Sequence, residues 1–374
     1  MPPGAKRPTM AVAAMMVVWL MSAALVTEQR PLTSDEAFKN IQALKGIPVD
    51  EFMGTMGLFS AALSMCCGDC HTAAGTSNPK WEDDPPRKRT ARRMIQMVAA
   101  INATNFNGRP VVTCWTCHRG QPRPAATPAM DRIYGEPVTE PADVLPAATS
   151  GVPTVDQILD RYVAALGGAS RLATLTSFIA KGTSLAYGEV GKGDPAELYA
   201  KAPNQLATII HQREGDSSRV FDGQDGYFML PLTVVPVYPW TGGAIQGARL
   251  EAEMLFPGHI KAFLANWRVS FPITLDGRDV DVVQGTGADN LLATLYFDRQ
   301  TGLLNRLIHY RMSAVGRVPT QIDFSDYRAV GAVQFPFKWS YAWVSGREEY
   351  TWTDVQANVA VDAARFAKPV SRPR

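Results

Sequence analysis

The hydrophobic and polar positions divide the chain into a first part with the spacing of helices and a second part with the spacing of strands. In the first part, Phe52, Met56, Phe59 and Leu63 recur three or four positions apart, which places them on one face of a helix. Two acidic residues precede this run, as is typical of a helix N-terminus. A second helix with apolar positions on one side is predicted for residues 87–101.

After residue 153 the pattern changes to short apolar runs separated by turn sequences. Thr154 is suited to cap one amphipathic helix over 155–166. The following runs are punctuated by sequences such as Asp222-Gly223 and are predicted to be strands. The expected elements are a hairpin of 292–298 with 303–312, a pair of 321–327 with 335–344, and a short helix within 247–264. Residues 154–370 are therefore predicted to form an α+β domain with an antiparallel sheet.

Residues 121–153 join the two parts and contain seven prolines with little periodicity. Such a composition favours an extended spacer, and we assign 125–153 as the linker between a domain at 35–124 and the domain at 154–370. Fully extended, the spacer would reach on the order of 100 Å at about 3.1 Å per residue. It therefore suggests a helical part that is tethered to the second domain without a fixed orientation.

The N-terminal residues have the layout of an exported protein. Lys6 and Arg7 precede an apolar run over 10–21, and small residues follow at 22–24, as in a secretory signal. Extended to residue 26, the apolar run is short for a membrane span but can serve as an anchor. Residues 1–26 are therefore predicted to be a signal peptide or an N-terminal anchor. Both alternatives predict a periplasmic protein, and the second would hold it at the inner membrane.

Candidate chemistry is concentrated in two copies of the sequence C-x-x-C-H, at 67–71 and 114–118. Two thiols three residues apart can each add to a vinyl group of one haem, and the adjacent histidine can then reach the iron. The repeat uses four of the five cysteines and predicts two covalently bound c-type haems. The predicted thioether residues are Cys67, Cys70, Cys114 and Cys117, and the predicted proximal ligands are His71 and His118.

A structural zinc site with four thiolates is the alternative interpretation of these cysteines. It leaves the histidine after each pair unexplained, and the gap from Cys70 to Cys114 is long for a zinc ribbon. Cys66 is left over and is expected to be a small buried residue, with a reactive thiol as the alternative. The net charge of +2 predicts no affinity for nucleic acid.

Each haem iron has a sixth position, which a side chain fills or which stays open for chemistry. Before residue 150, His71 and His118 are the only histidines, so methionines are the candidates unless histidines of the second domain reach the iron. The methionines on or beside the predicted helices are Met53, Met56 and Met65, expected for the first haem, and Met94 and Met97, expected for the second. A methionine-bearing helix followed by C-x-x-C-H occurs twice, which favours ligation over packing in the core.

The first part resembles the cytochrome subunit of bacterial photosynthetic reaction centres in four stretches, at 39–49, 51–56, 90–94 and 112–120. The resemblance covers roughly residues 35–124 and implies an all-α dihaem cytochrome c domain. It also implies Met56 and Met94 as distal ligands, with Met53 and Met97 as the neighbouring alternatives. The family typically carries four haems where this chain has two motifs, and its lipidated cysteine has no counterpart here.

A basic run at 85–93 contains Arg87, Lys88, Arg89, Arg92 and Arg93. We expect one or two of these arginines to pair with haem propionates, because a guanidinium binds a carboxylate in a bidentate fork. The other basic residues are expected to be solvated. Trp81 and Trp115 are expected to pack against porphyrin.

The second domain resembles periplasmic lipoprotein-carrier domains at 180–183, 199–203, 296–303 and 323–328. That resemblance implies a curved half-barrel with an apolar concave face that receives a lipid, an acyl chain or a partner protein. A nucleophile with an adjacent base is not evident in this domain. His211, His259 and His309 are isolated in the sequence and are expected to be structural.

The sequence thus predicts a two-domain protein with an all-α dihaem cytochrome c domain followed by an α+β half-barrel domain. Two haems with histidine and methionine ligands have no open position, which predicts an electron carrier and not an enzyme. The resemblance implies two partners, a membrane-bound electron-transfer complex such as a photosynthetic reaction centre and a soluble redox protein. The alternatives are a peroxidase-like dihaem enzyme, or a lipid- or lipoprotein-binding protein whose haems act as a redox switch.

Overall fold

The first part of the chain folds into helices joined by irregular segments. The computed structural model describes residues 30–135 and 143–371, and the predicted signal or anchor at 1–26 lies outside them. The helices of this part are α1 Ser34–Ala37, α2 Val49–Leu63, α3 Cys67–Cys70, α4 Pro86–Asn105, α5 Cys114–His118 and α6 Met130–Tyr134. Among the described residues, no helix is long and apolar enough to cross a bilayer.

Helix α2 is the predicted amphipathic helix. Asp50 and Glu51 lie in its first turn, and it ends at Ser64, which has a left-handed φ of 50°. The face predicted from the apolar spacing is only half-buried, at Phe52, Met56, Phe59 and Leu63. The opposite side is buried and consists mainly of small residues, at Gly54, Thr55, Gly57, Leu58 and Ala62. The helix therefore uses its small residues for protein packing and leaves its large apolar face partly accessible.

Helix α4 begins with Pro86 at its first position, where proline costs no backbone hydrogen bond. It continues to Asn105, so residues 102–105, predicted to open a loop, are helical. The side chain of Asn102 donates to the Val112 carbonyl at 2.8 Å and accepts from the Val112 N–H at 2.9 Å. This paired contact holds the last turn against the segment before the second C-x-x-C-H motif and extends the helix.

The second part forms one antiparallel sheet with helices on one face. Its helices are α7 Val155–Ala165, α8 Ala169–Leu172, α9 Gly242–Glu253 and α10 Ile260–Phe263. Its strands are β1 Ser177–Ala186, β2 Asp194–Lys201, β3 Gln205–Gln212, β4 Gly215–Phe221, β5 Gly226–Met229, β6 Val237–Pro239, β7 Ala265–Val269, β8 Ile273–Leu275, β9 Arg278–Thr286, β10 Leu292–Asp298, β11 Leu304–Ser313, β12 Gly316–Val330, β13 Val333–Trp343 and β14 Gly346–Ala357.

The strands follow the order β6-β5-β4-β3-β2-β1-β14-β13-β12-β11-β10-β9-β7, with β8 paired to β9. Strand β14 closes the gap between β1 and β13, so the two halves of the sheet meet at the strand that ends the chain's β-region. Both predicted hairpins are confirmed, because β10 pairs with β11 and β12 pairs with β13. The order itself was not predicted, since strand spacing does not say which strand is whose neighbour.

The sheet is curved around α9. The thirteen strands of this order are separated by twelve steps of about 4.8 Å, so a flat sheet would be about 60 Å wide, far wider than a helix of 12 residues. Yet α9 packs against β3 and β4 in one half and against β11 in the other. Leu250 on α9 and Leu159 on α7 are fully buried in the same core as Phe178 and Phe335 of the sheet. This is the predicted half-barrel, with its concave face filled by two helices.

The two parts of the chain are packed together. Residues from Pro31 onward form one compact unit, in which α2 contacts β6, β11 and β12. The late spacer is ordered as well: Gln284 donates to the Asp143 carbonyl at 2.8 Å and accepts from the Leu145 N–H at 3.1 Å. The hypothesis of a tether without fixed orientation is therefore wrong for the described residues, because specific polar contacts fix both the spacer and α2. The boundaries 35–124, 125–153 and 154–370 remain a prediction.

Candidate haem-attachment site

The two C-x-x-C-H motifs are built in the same way. Each begins one residue after the N-cap of a short helix, α3 after Cys66 and α5 after Thr113. In each, the residue just before the second cysteine closes a capping box. Asp69 accepts from the Cys66 N–H at 3.0 Å, and Thr116 Oγ1 accepts from the Thr113 N–H at 3.0 Å. The repetition seen in the sequence is thus a repetition of local structure.

The capped turn fixes the relation between the two thiols of each motif. Residues three apart on a helix lie on the same side of it, so both sulfurs of a motif face one direction. Cys67 and Cys117 are exposed, and Cys70 and Cys114 are half-buried. Burial raises the pKa of the Cys114 thiol, and burial together with the neighbouring Asp69 charge raises that of Cys70. The geometry suits attachment of each pair to one flat group.

His118 has the hydrogen bond that an iron-binding histidine requires. Its Nδ1 lies 2.9 Å from the carbonyl oxygen of Gln121. A carbonyl can only accept, so Nδ1 carries the proton and Nε2 keeps its lone pair. Such a partner also fixes the orientation of a ligating ring. His118 therefore presents a basic nitrogen directly after the second cysteine pair.

His71 is the corresponding histidine of the first motif. Its Nδ1 is buried without a hydrogen-bond partner among the described residues, and its ring lies edge-on to the ring of Trp81. Burial lowers the pKa of His71, and the positive charges of Lys88 and Arg92 lower it further. The neutral form is the one that binds a metal.

The zinc alternative finds no support in the described part of the chain. Within it, no three histidine, cysteine, aspartate or glutamate side chains are grouped as metal ligands. Cys66 is not the small buried residue that was expected. It is exposed and serves as the N-cap of α3, where both its backbone N–H and its thiol contact Asp69.

Each short motif helix packs against the methionine-bearing helix that precedes the other motif. Helix α5 packs against α2, and the N–H of Gly120 donates to the Ala62 carbonyl at 2.9 Å. Helix α3 lies against the start of α4, where Arg87 pairs with Asp69 at 2.8 Å. Each motif therefore touches the helix that precedes the other one. Which methionine serves which haem stays a prediction.

The candidate methionines differ in burial. Met56 and Met94 are half-buried, whereas Met53 and Met97 are 38% and 44% exposed. Met56 belongs to the large apolar face of α2, on the side away from the small buried residues. A half-buried thioether beside apolar side chains suits a ligand that must also contact a porphyrin. These positions favour the residues implied by the family resemblance.

Much of the basic run is already paired within the protein. Arg92 bonds to Asp84 and to the Asn40 carbonyl, Lys88 donates to the Trp81 carbonyl at 2.7 Å, and Arg89 donates to the Asp84 carbonyl. The acidic residues before the helix thus offset the unfavourable position of basic residues at a helix N-terminus. Pairing of an arginine with a propionate stays a prediction, as does packing of Trp81 and Trp115 on porphyrin. Trp81 already lies edge-on to His71, with ring centres 5.2 Å apart.

The donor set fits c-type haem. Each copy supplies two thiols on one capped turn, a histidine whose free nitrogen can face the iron, and nearby apolar side chains. When bound, such a haem supplies a one-electron redox centre. The two thiols of each copy would attach the haem covalently, and the histidine that follows them would bind its iron.

The concave core of the β-domain contains a polar cluster that sequence reasoning missed. Glu251 on α9 accepts from Arg219 at 2.8 Å, contacts His309 Nε2 at 2.9 Å and accepts from the Tyr341 hydroxyl at 3.1 Å. Burial opposes the ionisation of Glu251, but Arg219 and His309 outweigh it and lower its pKa to about 2. The four residues lie on four different elements, so their spacing in the sequence does not predict the cluster. His309 is hydrogen-bonded within the protein, and its assignment as a structural residue stays a prediction.

The same core leaves little room for a ligand. One cavity of about 30 Å³ lies beside Arg219 and Trp240, and another of about 20 Å³ lies beside Tyr162 and Phe335. Each can hold a water molecule or two and is too small for an acyl chain. A lipid at this domain stays a prediction.

Comparisons with known proteins agree with the resemblance of the first part. Residues 7–148 match the family model of the photosynthetic reaction centre cytochrome C subunit. The photosynthetic reaction center cytochrome c subunit of Thermochromatium tepidum is 35% identical over 95 residues, 24% of this chain and 22% of that protein. The same subunit of Rubrivivax gelatinosus is 32% identical over 95 residues, 24% of this chain and 25% of that protein. The chain thus spans about a quarter of the length of these curated relatives.

Two of the solved structures that match this chain are distant in sequence. A DUF1329 family protein from Desulfovibrio piger is 12% identical, covers 58% of this chain and 98% of its own, and has a TM-score of 0.40. A LolA superfamily protein from Nitrosomonas europaea is 14% identical, covers 58% of this chain and 99% of its own, and has a TM-score of 0.37.

Proposed function

We propose that this protein is a periplasmic dihaem c-type cytochrome that carries electrons. The observation that carries the proposal is the repeated motif, in which two C-x-x-C-H sequences adopt the same capped turn inside a segment similar to reaction-centre cytochrome subunits. Cys67 and Cys70 attach one haem and Cys114 and Cys117 the other. His71 and His118 are the proximal ligands.

Methionine ligation makes the protein a carrier and not an enzyme. With Met56 and Met94 as distal ligands, both irons are six-coordinate and offer no position to a substrate. A thioether ligand also raises the reduction potential relative to a second histidine. A peroxidase-like enzyme would need one open or displaceable position, and no described feature favours it.

The partners follow from the same resemblance. A carrier of this type receives an electron from a soluble redox protein and passes it to a membrane-bound complex, which in the named relatives is a photosynthetic reaction centre. The N-terminal segment would keep the protein at the inner membrane if it stays uncleaved. A test is to add the purified protein to membranes that contain reaction centres and to follow its haem absorbance after a light flash.

The attachment chemistry can be tested with a matched set of cysteine variants. Mass spectrometry of the acid-denatured periplasmic protein should show two added haems. The pair Cys67→Ala/Cys70→Ala and the pair Cys114→Ala/Cys117→Ala should each lose one haem. Cys66→Ala, one residue from the first motif, should keep both. A wild-type mass with one haem or with zinc would refute the proposal.

Ligation is tested on the same protein. Oxidised wild type should show the weak near-infrared sulfur-to-iron band for two haems, and the reduced form should bind no carbon monoxide. Met56→Ala and Met94→Ala should each remove the band of one haem and lower its potential. If Met97→Ala does so while Met94→Ala does not, the second ligand lies one turn further along α4.

A further inference from the structure

The buried face of α2 fits closely against the β-domain at two glycines. A Cβ atom added to Gly57 would lie 2.7 Å from Val344 Cγ2 and 3.2 Å from Ser345 Oγ, in the turn between β13 and β14. A Cβ atom added to Gly54 would overlap Nη2 of Arg311, on β11. The far end of the Arg311 side chain can move aside, whereas Val344 and Ser345 are short side chains on the turn itself. Glycine at position 57 is therefore what allows the helix to pack at this distance.

A third contact fixes the start of the same helix. Asp50, one turn before Gly54, is 4% exposed and accepts from the backbone N–H and the hydroxyl of Thr241, at 2.8 and 2.9 Å. Asp50, Gly54 and Gly57 follow the spacing of one helix face. Contacts at three levels along one face leave α2 little freedom to rotate about its axis or to slide.

The rotation of α2 determines where its other face points. Met56 lies directly before Gly57 in the sequence but belongs to the apolar face with Phe52 and Phe59. A helix turned by a few tens of degrees would carry the Met56 sulfur away from any fixed point by more than an iron–sulfur bond tolerates. The packing at Gly57 therefore determines the position of the Met56 sulfur.

We propose that the β-domain positions Met56 as a haem ligand through the fit of Gly54 and Gly57 against Arg311 and the β13–β14 turn. This inference rests on the proposed dihaem function, and it assigns the β-domain a role in setting the properties of one haem. Gly57 and Arg311 are positioning residues, since they act through α2 and not on the haem itself. Val344 marks where a larger side chain at position 57 would clash. Met94 on α4, the other proposed methionine ligand, lies outside this arrangement.

The test uses a substitution and its rescue in the full-length haem protein. Gly57→Ala forces α2 away from the turn, although alanine by itself favours a helix more than glycine does. One of the two sulfur-to-iron bands should disappear, the potential of that haem should fall, and carbon monoxide should bind up to one haem per chain. Val344→Ala, the matched control, should change neither spectrum nor potential. Gly57→Ala/Val344→Ala, in which the clashing methyl is gone, should restore the lost band.

Two haems by mass and an unchanged near-ultraviolet circular dichroism spectrum show that a variant is folded. A folded Gly57→Ala protein with both bands and both potentials unaltered overturns the proposal. A band that is lost in Gly57→Ala and is not restored in Gly57→Ala/Val344→Ala also overturns it. If Gly57→Ala yields no folded protein, Arg311→Met replaces it as the test, with Arg311→Lys as the conservative control. Loss of one band in Arg311→Met and retention of both bands in Arg311→Lys support the proposal. Two intact bands in both variants overturn it. A wild-type protein without sulfur bands would refute methionine ligation itself, and the positioning of Met56 with it.

Discussion

Asp50, in the first turn of α2, accepts two hydrogen bonds from Thr241, the residue that precedes α9. The backbone N–H of Thr241 lies 2.8 Å from one carboxylate oxygen and its hydroxyl 2.9 Å from the other. A residue of the helical part thus serves the N-terminus of the helix that fills the half-barrel. Burial raises the pKa of Asp50, and the bonds from Thr241 together with the positive charge of Arg311 act in the opposite direction.

The first prediction concerns this contact. Asp50→Ala removes both acceptors and leaves the Thr241 N–H without its partner, so the free energy of unfolding should fall by about 1–2 kcal/mol, the usual cost of a lost cap. Asp50→Asn keeps one acceptor oxygen and carries no buried charge, and it should lose less. Chemical denaturation followed by tryptophan fluorescence measures both effects.

Thr154→Ala provides the matched control for Asp50→Ala. Thr154 caps α7 by accepting from the Gln157 N–H, on the same concave face but away from α2. Both variants should destabilise the protein, but only Asp50→Ala should increase proteolysis within the haem segment. Equal proteolysis of that segment in the two variants would argue against a specific role of Asp50 in joining the two parts.

The sequence predicted what local spacing determines. The apolar stripe of α2 and the repeated C-x-x-C-H motifs follow from residues within one or two helical turns of each other, and both are found as expected. The hairpins β10–β11 and β12–β13 also depend on neighbouring segments. In each case the residues that define the element are those that form it.

What the sequence did not predict depends on contacts between distant segments. Gly54 and Gly57 carry no hydrophobic signal, so the second face of α2 could not be recognised before its neighbours were known. The contact of Asp50 with Thr241 spans 191 residues, and the proline-rich spacer was judged by composition alone. Cys66 was expected to be buried because free cysteines usually are, whereas a local capping box keeps it at the surface.

The second prediction concerns Glu253, at the last turn of α9. The residue is 8% exposed and its carboxylate accepts from the His259 N–H at 3.2 Å, but burial dominates and raises its pKa to about 7 from an ordinary value of 4.5. The folded state therefore binds this proton more tightly than the unfolded state. The resulting stabilisation is complete below pH 4.5 and is lost as the pH rises through about 7.

Glu253→Gln removes this titration. The wild type should lose about 2–3 kcal/mol of unfolding free energy from this group between pH 4.5 and pH 8, and the variant should lose correspondingly less. At pH 8 the variant should be the more stable protein. Glu349→Gln changes an exposed acid on β14 and should leave the pH dependence unaltered. If the unfolding free energies of wild type and Glu253→Gln change in parallel with pH, then ionisation of Glu253 does not destabilise the folded protein.

The last prediction concerns the polar cluster in the concave core. Arg219 lies over the ring of Tyr341 at 3.7 Å and bonds to Glu251, whose side chain is 7% exposed. Removing one partner of such a pair leaves a charge with too little compensation, which typically costs about 3–5 kcal/mol, whereas replacing both by apolar residues is often close to neutral. Arg219→Met should therefore be strongly destabilising, and Arg219→Met/Glu251→Leu should recover much of the loss.

The double-mutant cycle separates this account from simple packing. If charge pairing dominates, the cost of the double variant should lie at least about 2 kcal/mol below the sum of the single variants, within the range known for interacting pairs. His309 and Tyr341 lose their acceptor when Glu251 is replaced, so recovery should be incomplete. Haem content and spectra should stay unchanged, because the cluster lies in the core of the β-domain. Additive costs would show that the cluster contributes through side-chain volume, and a haem spectrum altered by these substitutions would show that α9 transmits their effect to α2 through Thr241 and Asp50.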